Sequence, residues 1–266
     1  MSTPAATVRT PGAASVFVAV LWRDIFVTGR EFAIFLIQVI LQPLFLLFVF
    51  GKVLSELGYT QPGYSQLLFP GVVSLTAVLT SLQSTALPLV IEFSFTKEIE
   101  DRLLAPMPTS LVAVEKMVFA SLRAMIAALV MFPIGVIILG KVPWHAGAAP
   151  MFIVTLILGS LTGAAMGLVL GTAVPPNRIN VMFTLVLTPL LFTGCVQYPW
   201  PSLDQLRWFQ IVTLFNPMTY VSEGMRGALV PAVPHIRPWI CLVALVISLG
   251  IFAAVGIRGF IRRAID

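Results

Sequence analysis

No Asp, Glu, Lys or Arg occurs between Phe32 and Gly51, nor between Leu67 and Ile91. A run of about 20 apolar residues is long enough to cross the hydrocarbon core of a bilayer. Inside that core the backbone must satisfy its own hydrogen bonds, and an α-helix does so within one segment. Four more runs follow: Met117 to Gly140, with one charge at Arg123; Ala149 to Val174, ended by Pro175-Pro176; Ile179 to Tyr198; and Pro238 to Ile257. The pattern predicts an all-α membrane protein of six transmembrane helices. With 58% hydrophobic and only 10% charged residues, against roughly 25% charged in soluble domains, an ordinary water-soluble globule is excluded.

The segment Ser15 to Glu31 is too charged to cross. On a helical wheel Arg23 and Arg30 share one face and Asp24 and Glu31 a neighbouring one, with Phe17, Leu21, Trp22, Ile25 and Phe26 filling the rest. This predicts an interfacial helix on the cytoplasmic leaflet, so residues 1–31 form a tail with that helix and residues 32–266 the membrane domain. The patch Val16 to Trp22 runs into Arg23-Asp24 without a small-residue cleavage site, so no cleavable signal is expected. With both termini cytoplasmic, eleven of the 16 basic residues fall inside and five (Lys52, Lys141, Arg207, Arg226, Arg237) outside. That bias sets the predicted orientation in a bacterial inner or plasma membrane. The basic residues are scattered over loops rather than striped along one face, which argues against nucleic acid.

Two segments between spans are unusual. Lys97, Glu98, Glu100, Asp101 and Arg102 put five charges into six positions between the second and third spans. A helix over 92–104, stopped by Pro106 and Pro108, gathers them in water, and Thr109 or Ser110 is expected to cap the next helix. Between the fifth and sixth spans, the stretch Gln197 to Arg237 holds a core at 208–215, followed by Asn216-Pro217, that is too apolar for a free loop and too short to span. Two short re-entrant helices are predicted there, broken at Asn216-Pro217. After that break Glu223 and Arg226 stand three apart and can pair on one helix face.

Other signals are structural or misleading. GVIILGK at 135–141 fits the start of a phosphate-binding loop, but Val142 replaces the magnesium-holding Ser or Thr and Pro143 follows. The fourth span holds Gly159, Gly163, Gly167 and Gly171, spacing that lets another helix approach closely, within the chain or across a dimer. His145 and His235 lie in loops with no carboxylate or cysteine at ligand spacing, and no span carries a mid-depth Asp, Glu or His. No metal site, no cofactor held by this chain and no catalytic set is therefore expected. Cys195 and Cys241 are the only cysteines, and a single bridge between them is one option.

Two stretches carry a family resemblance. FTKEIEDRLLAPMPTSLVAVEK (Phe95 to Lys116) resembles the charged helix, Leu-Leu pair, proline turn and closing Lys of the ABC-2 type transporter permeases. LFNPMTYVSEGMRGAL (Leu214 to Leu229) is similar to that family's Asn-Pro, Tyr, Glu-Gly and Arg segment, here Asn216, Pro217, Tyr220, Glu223 and Arg226. The resemblance implies a permease homodimer served by two copies of an ATPase, which bind the ATP and magnesium. Phe95, Lys97, Glu98, Glu100, Asp101, Arg102 and Leu103 would form the coupling helix docking on that ATPase. It also implies export of an amphipathic drug or lipid-like substrate, nearest to the daunorubicin-resistance type. Phe35, Gln38, Gln42, Thr76, Thr80, Thr188 and Phe192 are candidates for the path. Two alternatives are a polysaccharide or glycolipid exporter of the same fold and an intramembrane lipid-modifying enzyme.

Overall fold

The computed structural model describes residues 12–30, 32–96 and 107–265. The protein is all-helical over these residues. Helix α1 (Ala13–Arg30) is followed at once by α2 (Phe32–Leu46), which runs on through a π-helical stretch, Leu47–Val53, to Glu56. Then come α3 (Tyr64–Ile91), α4 (Thr109–Leu139), α5 (Ala149–Ala173) and α6 (Ile179–Thr193). After a 3₁₀ stretch at Trp200–Leu206 follow α7 (Arg207–Thr213), α8 (Pro217–Leu229) and α9 (Pro238–Ile265). Among the described residues five helices are long and apolar enough to cross a membrane.

The central helix is not the most apolar one. α3 has the lowest mean hydropathy of the five, yet is by far the most buried. It packs mainly on α5 and α4, and α5 in turn on α9. Its hydroxyls are satisfied by the helix itself: Ser74 donates to the Pro70 carbonyl (2.7 Å), Thr76 to Val72 (2.8 Å), Ser81 to Val78 (3.0 Å) and Thr85 to Ser81 (2.9 Å). Small, internally bonded side chains allow close backbone approach in lipid, where helix association depends on packing. α5 answers with its glycine stripe. A Cβ on Gly163 would come within 2.7 Å of the Val78 carbonyl oxygen, and one on Gly167 would overlap the Leu82 carbonyl. Gly171 faces Ala86 on the same helix, whereas Gly159 faces Val221 of α8. The stripe is thus taken up inside the chain.

Two departures from the sequence pattern stand out. The helix that ends the second apolar run does not break at Ile91. It widens into a π-helical turn over Glu92–Thr96, so the root of the charged segment continues the rod of α3. α4 begins two turns before the apolar run, at Thr109, with Pro108 in the N-cap position and no side-chain cap bond. Thr109 and Ser110 therefore lie inside the helix rather than capping it, because the preceding proline already supplies the extended entry.

α6 has 15 residues, roughly 22 Å of helix against a hydrocarbon core of about 30 Å. Its ends are nevertheless at opposite poles of the molecule. Near the end of α9, Arg263 donates to the carbonyls of Gly171 (2.9 Å) and Thr172 (3.3 Å) at the end of α5. Just before α9 begins, the Ile236 amide donates to Glu223, and the neighbouring Arg226 donates to the Cys195 carbonyl. Since α9 is 28 residues long, the chain must travel from one of its ends to the other between Val174 and Cys195.

Candidate functional site

The pole around Glu223 is a compact cap. α8 starts where Asn216 accepts a bond from the Met218 amide (2.9 Å) with Pro217 in the first turn, a side-chain N-cap of the expected kind. The same Asn216 side chain donates to the Leu190 carbonyl (3.1 Å) and to Thr193 Oγ1 (2.9 Å), tying α8 to the end of α6. Tyr220 donates to the Leu214 carbonyl (2.8 Å), closing the α7–α8 corner.

Glu223 and Arg226 pair as their spacing predicts, but neither side chain has any exposed surface. Each also grips backbone from distant segments. Glu223 accepts from the amides of Trp200 (3.1 Å) and Ile236 (2.9 Å), so both carboxylate oxygens are bonded. Arg226 donates to the carbonyls of Cys195 (2.9 Å) and Val196 (3.4 Å). Cys195 is the one non-glycine residue with positive φ, 51°, among the described residues, a conformation costing about 1–2 kcal/mol. Its carbonyl bond to Arg226 offsets part of that cost. Val196 is buried against α3 so closely that a Cβ on Gly71 would overlap its carbonyl oxygen, and Tyr64 donates to the next carbonyl, Gln197 (3.1 Å). A ring cluster lies at the same pole, with Phe132 edge-on to Phe69 (5.2 Å), Phe152 (5.4 Å) and Trp144 (5.7 Å). Cys195 and Cys241 are both buried and free, with no bridge.

The opposite pole holds the root of the charged segment. Lys97, Glu98, Glu100, Asp101, Arg102 and Leu103 lie outside the described residues, as does Glu31, and Phe95 is described only as part of the π-helical turn. What is described is how that turn is held. Lys116 on α4 donates to Glu92 (2.5 Å), both nearly buried. Arg263 donates to Ser94 (3.2 Å) as well as to the α5 terminus, with its guanidinium over the Phe93 ring at 4.9 Å. Phe93 in turn packs edge-on against Phe260 (5.4 Å). Three helix ends, those of α3, α5 and α9, meet the start of α4 at this turn. Ser94 and Arg263 were not singled out by sequence spacing. The one available signal is that Glu92 and Lys116 border apolar runs at the same predicted side, where the basic tail with Arg263 also lies.

The candidates for a path fall into two groups. Phe35, Thr76 and Thr80 are buried within the protomer, Phe35 beneath the Arg123 guanidinium (3.9 Å) and Thr76 bonded to its own helix. Gln38 and Gln42 lie on the exposed face of α2 with Ile34, Ile37, Leu41 and Phe45. Thr188 and Phe192 lie on the exposed face of α6 with Val181 and Leu185. α6 touches little of the chain besides α8 and the turn before it. On α1, Arg23 is exposed, Asp24 is buried 3.7 Å from it, and Trp22 and Phe26 face outward; Arg30 ends the helix.

Comparison with known proteins decides the family. The family model for the ABC-2 type transporter matches residues 15–230. The chain belongs to the ABC-2 type transporter family. The transport permease ycf38 of Cyanophora paradoxa is 29% identical over 215 residues, covering 78% of this chain and 72% of its own length. The inner membrane transport permease YadH of Escherichia coli K12 is 25% identical over 181 residues, 67% and 68% of the two chains. This chain is thus a multi-pass membrane subunit of a transport permease. ABC-2 permeases work with an ABC ATPase, and the matched region includes both the charged segment and the Glu223–Arg226 cap.

Proposed function

We propose that this ABC-2 permease exports an amphipathic, lipid-like molecule or drug, as a homodimer driven by two copies of a separate ATPase. The observation that carries the reading is the pair of under-packed helices α2 and α6. Each presents an apolar face to its surroundings, and each interrupts that face with a few uncharged polar groups: Gln38 and Gln42 on one, Thr188 on the other. A second protomer meeting these faces would enclose a route that is mostly apolar with sparse hydrogen-bonding groups, which suits a molecule with a lipid-like body. Phe192 at the Glu223 end of α6 would stand near the exit.

The membrane topology follows from two supports. The passage of the chain between poles over 174–195 favours six crossings, with α6 short because Asn216 and Thr219 draw its end into the cap. The distribution of Lys and Arg favours cytoplasmic termini, putting the Lys116 pole inside and the cap outside. The charged segment 97–103 then faces the ATPase as a coupling element. Its root, clamped by Lys116 and Arg263, transmits displacement to α3, α4, α5 and α9 together.

The test is expression of the permease together with its native gene neighbourhood, co-purification of an associated ATPase, and ATPase assay in proteoliposomes. Turnover stimulated by lipophilic compounds is the expected result. Glu98→Lys combined with Asp101→Lys should abolish ATPase association while membrane insertion persists. Unimpaired association would remove the coupling role from this segment.

A further inference from the structure

Arg123 has a half-buried guanidinium on an otherwise apolar helix face. It stacks on Phe35 at 3.9 Å, with Phe119 at 5.6 Å. Among the described residues no carboxylate lies within ion-pairing distance of it, and its buried Nε has no hydrogen-bond partner. The arginine borders a cavity of about 290 Å³ between α1 and α4, lined by Ile25, Thr28, Gly29, Phe119, Leu122 and Ile126. An arginine in an apolar cleft is costly in a membrane unless an anion completes it. Cation–π stacking uses the flat face of the guanidinium and leaves its N–H edge free, the edge that binds phosphate oxygens in pairs.

Depth selects the source of that phosphate. Arg123 lies 16 residues from Leu139, the far end of α4, which is roughly 24 Å along the helix. The hydrocarbon core is about 30 Å thick, so the guanidinium sits near one headgroup layer. Ile126 and Leu129, one and two turns further into the core, are exposed on α4, and Ile25 is exposed on α1. The cleft therefore opens toward lipid chains rather than toward water. A free anion would gain nothing from apolar walls, whereas a phospholipid fills both parts of the site.

We propose that the α1–α4 cleft holds one resident phospholipid, its phosphate on Arg123 and an acyl chain along Leu122 and Ile126. The lipid mortars the amphipathic α1 onto the membrane domain, which otherwise meets α1 through few residues. The site does not depend on which molecule the permease carries, nor on which side of the membrane the pole faces. It is separate from the α2 and α6 faces.

The test uses the full chain alone, without ATPase or nucleotide, purified in mild detergent and weighed intact by native mass spectrometry. Wild type should retain one phospholipid per protomer after washing that strips bulk lipid. Arg123→Gln should lower that occupancy about tenfold, the worth of one charge-assisted bond, and Arg123→Lys should fall between the two. Gly29→Leu fills the cleft without touching the charge: a Cβ there meets no atom within 4 Å, so the fold tolerates it, and it should displace the lipid as well. Because it leaves α4 unchanged, Gly29→Leu decides the matter whatever Arg123→Gln does to folding. Undiminished lipid in Gly29→Leu would overturn the proposal, and so would displacement of the wild-type mass by excess inorganic phosphate, which would assign the site to a free anion.

Discussion

The two poles of the molecule each bury an acid–base pair, and they do so by different means. At the cap, Glu223 and Arg226 belong to one helix, and most of their remaining valences go to backbone groups of four other residues. At the other pole, Glu92 and Lys116 come from different helices and meet side chain to side chain, with Glu92 Oε2 left unbonded. A pair locked to backbone fixes the path of loops that have no regular structure of their own. A pair that meets side chain to side chain joins two rods without fixing the backbone of any loop. The first arrangement makes a rigid lid, the second a joint, and the joint lies at the root of the charged segment.

This contrast can be broken experimentally. Replacing Arg226 by Met strands a fully buried carboxylate and should cost about 3–5 kcal/mol, read as loss of monodisperse protein and a collapsed thermal midpoint in detergent. Exchanging the two charges, Glu223→Arg with Arg226→Glu, should fail to recover it. The Trp200 and Ile236 amides require an acceptor at 223, and the Cys195 carbonyl requires a donor at 226. A recovered midpoint would mean that the backbone bonds contribute little.

A smaller loss is expected at the joint. Lys116→Met should cost about 2–4 kcal/mol, since a nearly buried Glu92 loses its partner. Here the exchange Glu92→Lys with Lys116→Glu should restore most of the midpoint, because the described contact is between side chains alone. Failure of that exchange would erase the difference between the poles. The smallest effect belongs to Tyr64→Phe, which removes one bond to the Gln197 carbonyl at the edge of the cap. It should lower stability by about 1 kcal/mol, and a larger loss would extend the rigid lid down to the start of α3.

Much of this fold is legible residue by residue. Uncharged runs of span length have one stable backbone solution in lipid, so the helices at 64–91 and 149–173 fall where composition places them, and the last helix starts at Pro238 as expected but runs on past Ile257 to Ile265. Asn216-Pro217 reads as a helix start from local chemistry alone, and the structure uses both residues that way. The spacing of Glu223 and Arg226 announces their pairing, but not their burial. Their backbone partners lie 13 to 31 residues away in loops without periodicity, and no local pattern reports such contacts. The continuation of α3 through Glu92 was hidden for a related reason. A charge at the end of an apolar run looks like a helix end, whereas Lys116 on another helix supplies the neutralisation that lets the rod continue.

Hydropathy by itself determined that this chain is a bundle of membrane helices, and two motifs within it carried the family resemblance that the family model bears out. Those properties are local, set by the price of exposing backbone and charge to hydrocarbon. Only the tertiary structure decided that the least apolar long helix, α3, is the centre, that three of the four α5 glycines face it, and that α2, α6 and α9 are left with open faces. Those are outcomes of which small surfaces fit one another, and in lipid, where all apolar surfaces are equally at home, fit rather than hydrophobicity selects the neighbours.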